Sequence, residues 1–81
     1  FRNLALAIDA LAKGGNLPCI MNAANEIAVW AFLRNRVGFL DMTDIIEKAM
    51  NHVKFIAKPT LDEYLDSDAE ARSYTASLIQ M

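Results

Sequence analysis

The sequence predicts an all-α fold, a small four-helix bundle-like domain. Three observations carry that expectation. Apolar residues return every three or four positions along most of the chain, the period of a helix face rather than a strand face. Turn-forming residues are scarce, with 3 Gly and 2 Pro in 81 residues, which leaves room for few connections. A hydrophobic share of 54% against 22% charged suits a packed core and argues against disorder, which needs a chain too polar to offset its ordering entropy. The length admits one core with a thin stability margin, so residues 1–81 read as one domain.

In the first helix Phe1, Leu4, Ile8 and Leu11 form the apolar stripe, with Ala5 and Ala12 beside it and Asn3, Asp9 and Lys13 off it. Gly14-Gly15 stops it, because glycine takes the left-handed conformation at a helix end without a Cβ penalty. Asn16 is expected to cap the second helix. Pro18 falls in the first turn, where a missing N–H costs little, and the Asn16 side chain is expected on the amide of Cys19. This helix runs to about Asn35, and Glu26 is its only charge between Leu17 and Leu33. Ile20, Ala24, Ile27 and Ala31 make one stripe, Met21, Ala28 and Phe32 a second, and Val29 and Leu33 lie opposite the first. A helix apolar nearly all round belongs in the centre of a bundle.

Val37 to Leu40 breaks the pattern. The third helix spans Asp41 to Lys54, with Met42, Ile45, Ile46, Ala49, Met50 and Val53 on one face and Asp41 and Asp44 near its positive end. Phe55 to Asp66 reads as a connector containing Pro59. Thr60 with Glu63 forms a capping box for one short turn inside it, with Leu61, Tyr64 and Leu65 pointing inward. Ser67 with Glu70 reads as a second capping box that opens the last helix, through Ala71, Tyr74, Thr75 and Leu78. Short links between four helices make an antiparallel bundle the default architecture.

The net charge of −2 and the scattered eight Lys and Arg disfavour nucleic acid as a partner. The second helix is too short and too polar at Asn22, Asn25 and Glu26 to cross a membrane. Cys19 is the only cysteine, which excludes an internal disulfide and fits a reducing compartment. The chain starts at Phe1 directly in a helical pattern, which reads as a piece of a longer protein.

Each chemistry-bearing residue has a plainer reading that suffices. His52, the only histidine, has no partner at metal-ligand spacing and reads as solvent-facing or helix-ending. Cys19 sits in a first helical turn, where a dipole can activate a thiol, but without a nearby His or Lys it reads as buried and inert. Asp62, Glu63, Asp66, Asp68 and Glu70 suggest calcium. Placing Asp66 at position one of a calcium loop, however, puts Ala71 where Gly is needed and Ser77 where a bidentate Glu is needed. These carboxylates are expected to serve helix N-termini. Gly14-Gly15 lacks a phosphate-loop pattern, and Arg34 and Arg36 complement the end of a helix dipole. The most informative run is Asn22-Ala23-Ala24-Asn25-Glu26. Residues 22, 25 and 26 share a face with Val29 and Leu33. That face either meets water or hydrogen-bonds a connecting segment, and the second is favoured because Val29 and Leu33 continue it inward. One carboxylate and two amides lack a second acid, a nucleophile or a base, which argues against catalysis.

Phe1-Arg2-Asn3-Leu4, Gly14-Gly15, Pro18, Asn22-Ala23-Ala24-Asn25-Glu26, Ala31-Phe32-Leu33, Phe39 with Asp41, and Asp68-Ala69-Glu70-Ala71-Arg72 resemble the C-terminal domain of the 1-deoxy-D-xylulose 5-phosphate reductoisomerase family. The likeness runs over nearly the whole chain. Leu40 departs from it, since the family has Thr or Ser capping the third helix there. The resemblance implies a parent enzyme that rearranges and reduces its substrate with NADPH to 2-C-methyl-D-erythritol 4-phosphate, in non-mevalonate isoprenoid synthesis. It also implies a divalent metal (Mg, Mn or Co), a homodimer and a bacterial cytoplasmic location. The family's nucleotide, metal and phosphate sites belong to other domains, so no catalytic, cofactor-binding or metal residue is carried over to any position here. The role implied for this chain is to brace the catalytic domain. A free-standing helical interaction module and a small helical ligand carrier are the rival readings.

Overall fold

The computed structural model describes residues 2–79. Four helices follow one another, α1 (Arg2–Lys13), α2 (Leu17–Leu33), α3 (Asp41–His52) and α4 (Leu61–Ser77), with no strand among the described residues. The fold class is the one expected. α2 is central, as its apolar circumference predicts, and packs against α1, α3 and α4. Its buried face is built from small residues: Ala23, Ala24, Ala28 and Ala31 are fully buried around Ile20. Without bulky side chains between them, the helix axes approach closely and the core is shallow. Ile46 and Ala49 of α3 meet Ala24 and Ala28, while Ala71 of α4 joins Ile20, Ala23 and Val53. The result is a slab, with extents of 36 × 25 × 16 Å.

The α3 stripe packs as expected, with Ile45, Ile46, Ala49 and Val53 buried and Met42 and Met50 half-buried. The α1 stripe does not. Leu4, Ile8 and Leu11 face outward, and α1 buries Ala10, with Leu6 and Ala7 half-buried. Small residues let α1 lie close to α2, so the contact uses that alanine-bearing face and leaves the leucine stripe without a partner among the described residues. Phe1, expected to open the stripe, lies outside those residues. Val29 and Leu33 are likewise exposed, so their face of α2 does not continue inward.

The helix ends differ from expectation in instructive ways. α2 stops at Leu33 rather than Asn35 because Asn35 adopts φ 58°, a left-handed conformation that asparagine tolerates. The amide of Asn35 donates to the carbonyl of Phe32 and that of Arg36 to Ala31, a Schellman closure with Asn in the usual glycine place. α3 starts at Asp41 after the exposed Leu40 with no side-chain cap. Instead the amides of Asp41 and Met42 reach Gly38 and Phe39 in a tight turn. α3 ends at His52, and Val53 continues extended, its side chain buried.

The largest correction concerns α4. The Thr60–Glu63 capping box forms as read, with the Glu63 amide donating to Thr60 Oγ1 at 3.1 Å and the Thr60 amide to Glu63 Oε1 at 2.9 Å. It opens not one turn but the whole 17-residue helix. Ser67 is therefore interior to α4 and buried rather than its cap. Leu61, Tyr64 and Leu65, expected to point inward, are exposed.

Candidate functional site

The polar centre of the molecule is Asn16. Gly14 and Gly15 both adopt positive φ, 66° and 57°, and turn the chain sharply between α1 and α2. A Cβ on Gly14 would meet open space, so only its backbone conformation requires glycine. A Cβ on Gly15 would fall on the carbonyl oxygen of Ile56, so that position requires glycine twice over. This close approach lays the turn against the α3–α4 connector. The Asn16 amide N–H donates to the Ile56 carbonyl at 3.0 Å, and the Ile56 N–H donates back to Asn16 Oδ1 at 2.8 Å. Asn16 Nδ2 donates to the Lys54 carbonyl and to Ser67 Oγ, both at 2.9 Å.

Asn16 is fully buried, and its side-chain amide is spent on the connector and α4 rather than on capping α2. The expected bond to the Cys19 amide is absent because the connector's part-buried backbone groups take up those donors and acceptors instead. Among the described residues no buried side-chain nitrogen or oxygen is left without a partner. The sequence did carry a signal for this strap: an irregular run through Phe55-Ile56-Ala57 must find hydrogen-bond partners for its backbone somewhere.

The Asn22–Glu26 face behaves differently from the reading favoured in sequence. Asn22 and Glu26 are exposed and Asn25 is half-buried. It is Asn16, and not this face, that holds the connector. Glu26 Oε2 accepts from Arg72 Nη1 at 2.7 Å, and Arg72 Nε donates to Asp68 Oδ2 at 2.9 Å, clipping α2 to α4 at the surface. The hydrogen bonds to Asp68 and then Glu26 raise the Arg72 pKa still further above its ordinary value, so the clip stays charged. Such exposed pairs contribute little to stability. Asn22 and Asn25 make no side-chain hydrogen bond among the described residues. Both border a hollow of about 540 Å³ between α1 and α2, with Leu4, Ala7, Leu11, Pro18 and Met21.

The remaining candidates occupy separate places. His52 is exposed at the end of α3, stacked on Tyr74 at 3.7 Å between ring centroids. Cys19 is half-buried, its Sγ directed to the Tyr64 carbonyl at 3.7 Å. Burial raises its thiol pKa, with the Asp68 charge adding and Arg72 opposing, a direction that disfavours the thiolate. Glu63 serves the α4 cap as expected, but Asp68 pairs within the helix with Arg72. Arg34 lies over the Trp30 ring at 4.1 Å and donates to the Trp30 carbonyl at the end of α2. A wider cleft of about 740 Å³ separates α1 from α3. Of its rim charges, Asp9 pairs with Lys13 and Glu47 with Arg2, while the Lys54 ammonium makes no ion pair among the described residues. No helix is long and apolar enough to cross a membrane, and no group of three or more His, Cys, Asp or Glu could hold a metal ion, both among the described residues.

Fold and polar centre together define a small helical-bundle domain whose buried polar groups serve its own connections. The chain belongs to the family of DXP reductoisomerase C-terminal domains, whose family model matches residues 1–74. It is 57% identical over 79 residues to a 1-deoxy-D-xylulose 5-phosphate reductoisomerase of Bacteroides thetaiotaomicron, covering 98% of this chain and 20% of the relative. A Bacillus cereus reductoisomerase is 52% identical over the same length, with 98% and 21% covered. Among solved structures, the Zymomonas mobilis reductoisomerase in complex with NADPH superposes with a TM-score of 0.82 at 46% identity, over 93% of this chain and 20% of that one. The chain thus spans about one fifth of the length of the relatives it matches.

Proposed function

We propose that these residues form the C-terminal bracing domain of a 1-deoxy-D-xylulose 5-phosphate reductoisomerase, excised from a longer chain, that supports the catalytic part without supplying a catalytic residue. The observation that carries this reading is the match to the family's C-terminal domain together with the one-fifth share of each relative. The whole chain would carry out the NADPH-dependent rearrangement and reduction to 2-C-methyl-D-erythritol 4-phosphate, with a divalent metal (Mg, Mn or Co), as a homodimer in the bacterial cytoplasm.

The residues described do not fit either group. Gly14 and Gly15 are the one glycine pair, and the Ile56 carbonyl closes over their turn, leaving no amide cradle for a pyrophosphate. The carboxylates are dispersed over all four helices; Asp9, Glu26, Asp44, Glu47, Glu63 and Asp68 are engaged in a cap or ion pairs, and no three converge at metal-ligand distances among the described residues. NADPH and metal chemistry therefore belong, on this proposal, to the rest of the chain. The contribution of these residues is rigidity: the Asn16 strap and the capped α4 hold a preformed surface.

The test compares the 81-residue chain with a full-length reductoisomerase carrying it. The short chain should oxidise no NADPH in the presence of substrate and metal. Deleting it from the long one should lower the melting temperature of what remains. Substrate-dependent NADPH consumption by the short chain alone, above a buffer blank, would sink the reading.

A further inference from the structure

We infer, on the bracing role proposed above, that the hollow between α1 and α2 is where this domain takes hold of the polypeptide preceding it, an apolar stretch in extended conformation. Three features of the surface agree on this place. The amphipathic stripe of α1, Leu4, Ile8 and Leu11, is turned away from the bundle, although its spacing is that of a buried face. Leu4 and Leu11 instead wall a hollow floored by Ala7, Pro18 and Met21. Leu4 also borders a second hollow of about 500 Å³, with Phe39, Leu40 and Met42 at the start of α3, so the apolar track continues across the α1 N-terminus. Contiguous apolar surface of this kind marks an interaction site.

The chemistry of the rim selects the occupant. Asn22 and Asn25 stand beside the leucines, each offering one acceptor and one two-hydrogen donor, and neither makes a side-chain hydrogen bond among the described residues. An amide presents the same donor–acceptor pair as a peptide group. It therefore satisfies an extended strand or loop, whose N–H and C=O are open, whereas a docked helix has already used its own. The track carries almost no charge. Arg2 is the charged residue bordering it, and Arg2 is held by Asp44 and Glu47 of α3. An acidic or basic partner has nothing to answer it here.

The relatives indicate the source of that segment. About four fifths of each lies outside the match, and the matched family is a C-terminal domain, so the preceding chain arrives at the N-terminal end of α1. Arg2, Asn3 and Leu4 line the hollows at that same end. The segment is thereby delivered to the groove covalently, at high effective concentration. A comparison patch of outward apolar residues, Leu61, Tyr64 and Leu65 at the start of α4, is interrupted by Asp62, Glu63 and Asp66 and has no such junction beside it.

The two patches supply a matched internal control. Leu4 and Leu65 are both 59% exposed in this domain, and Leu11 and Leu61 are both 73% exposed. Hydroxyl-radical footprinting of a full-length reductoisomerase carrying this domain, read by mass spectrometry, should oxidise Leu4 and Leu11 several-fold more slowly than Leu65 and Leu61. The difference should be unchanged by tenfold dilution, and Asn22→Ala with Asn25→Ala should reduce it while leaving the α4 pair as before. Equal rates, or slower oxidation of the α4 pair, in a molecule whose domains tumble together would overturn the groove assignment and leave the bracing role standing. Independent tumbling of the domain in solution scattering and NMR relaxation would sink both. Protection that disappears on dilution would identify a second copy as the occupant and overturn the assignment.

Discussion

Replacing Asn16 with Ala removes a side chain that three partners use, and the cost can be built up from each of them. The Ile56 N–H loses its acceptor at 2.8 Å in a part-buried site, which costs about 1–3 kcal/mol. Ser67 Oγ loses the donor it accepts from, while its own O–H stays free for a carbonyl one helical turn earlier, so the net loss is roughly 0.5 kcal/mol. The Lys54 carbonyl belongs to an exposed residue and recovers a water, so it adds little. The sum is about 2–4 kcal/mol with the small void included. A chain of 81 residues has only about 4–12 kcal/mol in total. Urea unfolding of the Asn16→Ala chain, followed by circular dichroism, should show this loss, and the melting temperature should fall by at least about 8 °C. Ser67→Ala should cost about 1 kcal/mol, since Asn16 keeps its bonds to the connector. Because the two residues share a bond, the double variant should lose about 0.5–1 kcal/mol less than the sum of the singles. An Asn16→Ala chain within about 0.5 kcal/mol of the parent would refute the strap. Additive singles would refute the bond between Asn16 and Ser67.

The two glycines should separate backbone strain from steric overlap. Gly14→Ala has only the positive-φ penalty, about 1–2 kcal/mol, while Gly15→Ala also meets the Ile56 carbonyl and should cost clearly more; equal melting temperatures for the two variants would contradict the close approach. Thr60→Ala should cost about 1 kcal/mol and loosen the start of α4, seen as faster amide exchange at Asp62 and Glu63, whereas unchanged exchange would show the box to be idle. The Cys19 pKa is raised in the folded chain, so its contribution to stability is full below the unfolded thiol value of about 8.5 and is lost as pH rises through the folded value. Stability should therefore decline in the alkaline range, and Cys19 should alkylate more slowly in native protein at pH 8 than in urea-unfolded chain; equal alkylation rates would rule out the shift.

Periodicity was enough to place four helices, the central position of α2 and the buried face of α3, because each depends on local spacing. The Thr60–Glu63 box was legible for the same reason. What periodicity could not supply was which of two usable faces a helix turns inward. On α1 the leucine stripe lost to Ala7 and Ala10, since close approach to an alanine-rich partner outweighs the bulk of the side chain buried. Ser67 followed by Glu70 satisfied a local rule for a helix start, yet a non-local partner, Asn16, claimed the hydroxyl and the helix ran straight through. Asn16 itself was read as a cap because its neighbours in sequence suggest one. Its actual partners lie 38 to 51 positions away. The polar face at Asn22 and Asn25 was recognisable as unusual, but its exposure depended on where α1 and α3 come to rest.

That separation also bears on how the molecule comes together. A bond between positions 16 and 67 closes a loop that spans most of the chain, and the entropy of closing it is met only after α2, α3 and α4 have docked. The helices themselves nucleate from local contacts, on a far shorter timescale. The strap is then expected to form late, with an Asn16→Ala change altering the unfolding rate far more than the folding rate. Interactions of that kind leave the folding rate nearly unchanged and act on the reverse step, slowing the opening of the native state. Asn16 thus serves less as a guide to the fold than as a latch on it. On the bracing role proposed above, a long native lifetime serves the domain better than rapid assembly.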